Sequence, residues 1–459
     1  METAAHPGTY IDLSIVPDIL RRRVAHRPNL LKVIDNIGWL FFDKVLRMGV
    51  GLLVGVWIAR YLGPEQFGLL SFATAFVGLF GAVAGLGLQG IVVRDIVREP
   101  AGKGVTIGTA AALQFAGGLL AYGLILLVIF WLRPEDRLAL VLVAILGSMM
   151  LFKVSDVATY WFESQVLSKY TVMVQNAAFL AFAVVKIVLI LLNAPLVLFA
   201  WAVMGEALVG AVLMLWVFRF YGFSLAELRA SASRAKAMLT ASWPLLLSGV
   251  AITVYMKVDQ IMLGQMIGDT EVGLYSAATR VSEVWYFVPM AVMASVLPAI
   301  LESRMADEAQ YYRRLQTLFD VMVWLSVCVA VPMTFLSTPV VTLLFGSDYA
   351  AAGEVLSVHI WAAIFVFLGV ASSNWYLAEN RQMLSMQRAV LGMLVNVALN
   401  LLLIPSYGAL GAAWATVLSY ATAAFFADLL QGETRRIFAM KVASFNIVAV
   451  TTRMARSHW

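Results

Sequence analysis

Twelve membrane-crossing helices in two six-helix halves, an all-α polytopic architecture, is what this sequence predicts, and three observations predict it. Of 459 residues, 62% are hydrophobic and 13% charged, against about 45–50% and about 25% in an ordinary soluble domain. Apolar stretches of about 20 residues, enough to span a bilayer as helix, recur along the whole chain. A glycine-bearing turn near residue 63 returns near residue 268.

Taken in order, the apolar stretches place helices near 37–60, 66–90, 105–131, 138–161, 170–193, 195–221, 242–267, 272–301, 315–337, 354–378, 383–404 and 409–430. The expected divisions are a leader over 1–36, a first lobe over 37–221, a linker over 222–241, a second lobe over 242–430 and a basic tail over 431–459. Arg21, Arg22, Arg23 and Arg27 precede the first helix with no apolar signal-peptide core between them, so the leader is expected to stay on the chain in the cytoplasm. Lys and Arg crowd the segments on that side, whereas the opposite side holds only Arg60, Arg133 and Arg137. The positive-inside rule then sets both termini in the cytoplasm. The longest outer loop, Ser337 to Gly353, is too short for a folded catalytic domain. The tail mixes apolar and basic residues, including Lys441, Phe445, Ile447 and Arg453, and reads as an interfacial amphipathic helix or a solvated segment. The twelve spans are complete without it, so function is expected to survive its removal after Gly432. The single cysteine, Cys328, lies in an apolar run, so an intramolecular disulfide or a CxxC site is excluded.

The repeat is specific. Residues 62–73 align with 267–278 without a gap, and Gly63/Gly268, Gly68/Gly273, Leu69/Leu274, Ser71/Ser276 and Ala73/Ala278 are identical. Each copy is the outer turn between the first two helices of a half. Six spans return the chain to its starting side, so the halves are parallel repeats about an axis along the membrane normal, with room for a ligand between them. Such an arrangement favours a transporter over a channel.

Six basic residues fall inside the spans: Lys44, Arg47, Lys153, Lys186, Lys257 and Arg280. Each costs at least about 2.5–3.5 kcal/mol at a helix centre on insertion scales, so each should face a partner or an aqueous cavity. Asp43 with Arg47, Lys153 with Asp156 and Arg280 with Glu283 have the i,i+4 or i,i+3 spacing that permits pairing on one helix face. Lys44, Lys186 and Lys257 have no such acid, although Glu206, Asp259 and Asp320 are available on other faces or helices. The six bases together suit a compact anion such as phosphate or pyrophosphate crossing the membrane, and interhelical salt bridging is the structural alternative. Asn396 and Asn400 share a face of the eleventh helix and, with Asp259 and Glu283, are the candidates for proton or cation coupling; hydrogen bonding between helices is the simpler role. His359 reads as a satisfied core residue. Gly51/Gly55 and Gly81/Gly85 have the spacing of close helix packing, and Pro244, Pro289, Pro298 and Pro332 are expected kinks or ends.

Several stretches together resemble a known family: Asn36-Ile-Gly-Trp-Leu-Phe, Ala59-Arg-Tyr-Leu-Gly-Pro-Glu-Gln-Phe-Gly, Asp259-Gln-Ile-Met-Leu-Gly, Gly273-Leu-Tyr-Ser-Ala-Ala, Ser282-Glu-Val-Trp-Tyr-Phe-Val-Pro and Tyr407-Gly-Ala-Leu-Gly-Ala-Ala-Trp-Ala-Thr. They are similar to the Wzx-type O-antigen repeat-unit flippases of the MOP superfamily, relatives of MATE transporters and lipid II flippases. The resemblance implies a MATE-like 6+6 bundle in the cell inner membrane. It would move an undecaprenyl-pyrophosphate-linked oligosaccharide, of O-antigen, lipopolysaccharide or a related polysaccharide, to the outer leaflet by alternating access coupled to H⁺ or Na⁺. Catalytic residues, metal, cofactor and nucleic acid are not implied; the implied partners are the lipid-linked oligosaccharide, membrane lipids and other polysaccharide-assembly proteins. Two other readings stay open: a MATE-like exporter of cationic drugs, which should show unpaired acids, and a membrane polymerase or ligase, which should carry a large outer loop.

Overall fold

A computed structural model describes residues 28–221, 227–379 and 381–456, so most of the expected leader lies outside the described residues. The described residues form helices and no strands. In the first half these are α1 (Pro28–Leu79), α2 (Gly81–Gly85), α3 (Gln89–Arg98), α4 (Lys103–Leu132), α5 (Arg137–Gly147), α6 (Asp156–Ser164), α7 (Ser168–Leu191) and α8 (Leu196–Phe220). In the second they are α9 (Ala232–Met266), α10 (Asp269–Glu283), α11 (Phe287–Ala306), α12 (Glu308–Phe345), α13 (Ala352–His359), α14 (Ala362–Ala378) and α15 (Gln382–Ala424), followed by α16 (Arg435–Ala443) and α17 (Ile447–Arg456).

Nine continuous helical stretches among the described residues are long and apolar enough to cross a membrane. Two of them hold two passes each. Gly63 breaks α1 at φ 73°, and Gly408 breaks α15 at φ 53°. The chain reverses at both glycines. Both arms of α1 line one cavity, and across α15 Asn396 Nδ2 donates to Ser419 Oγ at 3.3 Å while Arg388 Nε donates to the Ala423 carbonyl at 2.6 Å. The α10–α11 element completes twelve passes. 3₁₀ turns at Ser148–Ser155 and Val284–Tyr286 interrupt two of these passes.

The turns near 63, 133, 193, 268, 349 and 408 gather at one end of the molecule. Tyr61 Oη donates to the Ala194 carbonyl at 2.9 Å, Tyr349 Oη to the Ala59 carbonyl at 2.8 Å, and Arg133 Nη2 to Asp269 Oδ1 at 2.9 Å. Glu271 Oε2 accepts from the Ala409 amide at 2.7 Å, capping the second arm of α15. The opposite end is rich in basic residues such as Arg94, Arg98, Lys103 and Arg381. The largest buried apolar cluster draws on both halves, from Phe67 and Phe72 to Tyr275 and Tyr349. Two others lie largely within one half each, around Phe162 and Phe218 and around Phe319 and Phe367. The lobes are thus fused at the turn end and have separate cores toward the basic end, where Gly87 lies against the Leu246 backbone.

The repeated glycines explain the fusion. Gly63 and Gly268 both have positive φ, 73° and 137°, which only glycine adopts without strain. Five residues on, a Cβ at Gly68 would overlap the Asp269 carbonyl, and one at Gly273 would overlap the Pro64 carbonyl. Asp269 and Pro64 occupy equivalent repeat positions, so the contact is reciprocal about the axis relating the halves.

Four sequence expectations need correction. Helix α12 runs to Phe345 and α13 begins at Ala352, so the turn expected over 337–353 is much shorter. None of the four prolines ends a helix: Pro244 and Pro332 lie inside continuous helices and Pro289 and Pro298 inside α11, and the sharpest turns fall at glycines instead. Gly81 and Gly85 meet no neighbour that a Cβ would touch. Finally, the tail is docked on the second lobe. Lys441 is buried, with Nζ 2.6 Å from Asp428 Oδ2, and Arg453 holds the buried Asp320 through two bonds of 2.8 and 2.9 Å. Burial pushes the Lys441 ammonium down to about 7, a fall that Asp428 opposes. Asp320 thereby pairs with the tail and with none of the six intramembrane bases.

Candidate functional site

A cavity of about 560 Å³ lies between the lobes, below the sealed turn end. Arg47 on the first arm of α1 and Lys186 on α7 reach it from one lobe; Lys257 on α9 and Arg280 and Glu283 on α10 reach it from the other. Four of the six expected bases therefore share one chamber. Ser71, Thr74, Gln260, Ser276 and Thr279 add neutral polar groups to its wall, and Ser276 Oγ has no protein hydrogen-bond partner.

The four cations are not equivalent. Arg47 Nε is 2.8 Å from Asp43 Oδ1, the i,i+4 pair expected from spacing. Lys186 Nζ is 2.8 Å from Glu206 Oε2 on α8, a pairing between helices. Lys257 and Arg280 have no ion-pair partner within 4 Å among the described residues, so the expected Arg280–Glu283 pair does not form. Its guanidinium lies over the Phe67 ring instead, 5.3 Å from the centroid, in space that Gly55 leaves open: a Cβ there would collide with it. Gly55 thus makes room for a charge, while Gly51 packs beside Phe179 of α7, as its spacing predicts.

The remaining two bases stand apart. Lys44 Nζ rests 3.2 Å from Met290 Sδ, outside the cavity lining. Lys153 pairs with Asp156 at 3.3 Å, as its spacing predicts, and lines neighbouring chambers.

The second lobe encloses a separate polar cluster. Asp259 is buried. Asn400 Nδ2 donates to its Oδ1, while Tyr275 Oη and Thr416 Oγ1 each lie 2.8 Å from its Oδ2. Asn400 also donates to Asn396 Oδ1 at 3.2 Å and keeps a buried Oδ1 with no partner. A buried carboxylate without a cation, beside an orphaned amide oxygen, has the oxygen donors a proton or small hard cation needs. Glu283 does not belong to this cluster; it lines the central cavity. Lys257 and Asp259, two residues apart, face cavity and lobe interior respectively. Tyr275 and Thr416 escaped the sequence reading, although both lie in stretches that carried the resemblance. His359 Nδ1 is 3.0 Å from Ser282 Oγ, a satisfied core residue.

Fold and site together define a two-lobed membrane transporter with a cationic chamber between its lobes. The chain belongs to the polysaccharide biosynthesis protein family, whose model matches residues 33–304; the MatE model matches 244–402. It is 24% identical over 408 residues to the probable low-salt glycan biosynthesis flippase Agl15 of Haloferax volcanii, covering 83% of this chain and 80% of that one. It is 25% identical over 334 residues to the succinoglycan biosynthesis transport protein ExoT of Rhizobium meliloti, covering 72% and 65%. Among solved structures, an inward-facing multidrug resistance MATE family transporter of the MOP superfamily shares the fold at TM-score 0.70 and 16% identity, over 87% of this chain and 96% of that one. The lipid II flippase MurJ does so at 0.69 and 15%, over 92% and 93%.

Proposed function

We propose that this chain is a flippase for an undecaprenyl-pyrophosphate-linked oligosaccharide of O-antigen or a related polysaccharide, carrying it from the cytoplasmic to the outer leaflet of the cell inner membrane. The observation that carries the reading is the pair of unneutralised cations, Lys257 and Arg280, in the chamber between the lobes. A charge kept unpaired inside a membrane costs free energy that a bound anion recovers. Pyrophosphate sits against Lys257 and Arg280, with Arg47 and Lys186 adding to the positive field, while the prenyl chain stays in lipid. The basic end faces the cytoplasm by the positive-inside rule, so alternating access opens the chamber first to that side and then, on parting of the turn end, to the other. H⁺ or Na⁺ couples through Asp259, Asn396, Asn400 and Thr416.

The roles of the relatives, glycan-biosynthesis flippase and succinoglycan transport, support this class of cargo. Polarity disfavours export of a cationic drug, since the chamber offers one acid, Glu283, against two unpaired bases. Depleting the chain should make a lipid-linked oligosaccharide accumulate on the cytoplasmic leaflet; an unchanged lipid-linked pool with altered resistance to cationic dyes would replace this reading with drug export.

A further inference from the structure

Two more chambers open beside the central one. The first, about 420 Å³ inside the first lobe, shares Arg47 and Val203 with it. The second, about 310 Å³, lies between that lobe and α9. Lys153, Asp156, Thr159 and Gln175 line both, so these four polar side chains form the passage from one to the other.

Their charge character differs from that of the central cavity. Lys153 is neutralised by Asp156, and Glu206, on the wall of the first side chamber, holds Lys186. Thr159 and Gln175 have no hydrogen-bond partner among the described residues and face open volume. A free amide and a free hydroxyl beside a balanced ion pair present donors and acceptors without net charge. That set complements sugar hydroxyls, whereas phosphate demands unpaired cations.

We propose that the side chambers are the glycan site, and that Thr159 and Gln175 select the sugars while Lys257 and Arg280 hold the pyrophosphate. The proposal rests on the headgroup reading above and assigns the other end of the same ligand. Arg47, shared by the central and first side chambers, stands where the headgroup gives way to the first sugar.

The test uses the host's extracted lipid-linked oligosaccharide and the same lipid trimmed by glycosidases to its first sugar, each reconstituted with the full chain in proteoliposomes. Translocation is scored as accessibility of the pyrophosphate bond, which both lipids retain, to an added pyrophosphatase that cannot cross the bilayer. The double variant Thr159→Val, Gln175→Leu should lose about tenfold in rate on the full oligosaccharide, as expected for two lost hydrogen bonds, and move the trimmed lipid at the wild-type rate. Equal losses on both lipids, or wild-type rates on both, overturn the proposal. Should that variant fail to insert, Gln175→Asn, which keeps the amide but withdraws it by one methylene, is read by the same ratio. Lys257→Gln separates the two readings: it should slow both lipids alike. If Lys257→Gln moves both normally while the double variant discriminates between them, the headgroup reading falls and the glycan chambers stand.

Discussion

At the residue scale, what distinguishes the intramembrane charges is whether each has a partner. Arg47, Lys153 and Lys186 are held by Asp43, Asp156 and Glu206, and neutralising any of them strands a partly exposed carboxylate, at a cost below that of breaking a fully buried pair. Lys257 strands nothing. Lys257→Gln should therefore insert at wild-type levels and fail to complement a flippase-deficient strain, and Lys257→Arg should retain partial activity because charge matters before fork geometry. Adding Asp259→Asn should not rescue it, since Asp259 is satisfied by Asn400, Tyr275 and Thr416 on the other face of α9. Normal complementation by Lys257→Gln, checked against membrane levels by immunoblot, would remove the anion role.

At the element scale, two devices connect helices that are remote in sequence. The Gly68/Gly273 contact brings the backbones of the two halves together at the turn end. Gly273→Ala would drive a methyl group into the Pro64 carbonyl and part the lobes there. A cysteine introduced at Ser71, beside the cavity, in a background lacking Cys328, should then react faster with an externally added membrane-impermeant maleimide; an unchanged rate would show that the seal lies elsewhere. The second device is the docked tail. Cutting the chain after Gly432 removes Lys441 and Arg453 and leaves Asp428 and Asp320 buried without those partners. Asp428 keeps Tyr376 Oη at 2.6 Å and Arg388 Nη1 at 3.8 Å, and Asp320 keeps Gln316 Nε2 at 2.9 Å, so each carboxylate loses its close ion pair while retaining other contacts, a loss that lowers stability. The truncated protein should show lower membrane levels and a lower Tm in detergent than the full chain. An unchanged Tm would return the tail to the dispensable role its composition alone suggests.

At the scale of the whole molecule, orientation decides which leaflet loads the chamber. Reporters fused after Arg98, Arg234 and Arg436 should read as cytoplasmic, and reporters near Gly63, Asp269 and Asp348 as external. A reversed pattern at two of these sites would overturn this topology and with it the leaflet assigned to every intramembrane charge.

The sequence by itself determined the membrane class, the succession of helices and the two-fold relation of the halves. These depend on local hydrophobicity and on a repeated turn, both of which are properties of contiguous residues. Side-chain pairs within one helix were legible for the same reason: Asp43 with Arg47 and Lys153 with Asp156 lie one turn apart and meet. The rule failed for Arg280 and Glu283, where an open neighbour, Gly55, and an aromatic face, Phe67, drew the guanidinium away. Only the tertiary structure decided which charges share a cavity, which partners neutralise them, and that the tail clamps the second lobe. Each of those outcomes joins residues from helices far apart in the chain, such as Asp320 with Arg453 or Arg47 with Lys257, and no periodicity within one helix encodes where its neighbours in the bundle will stand.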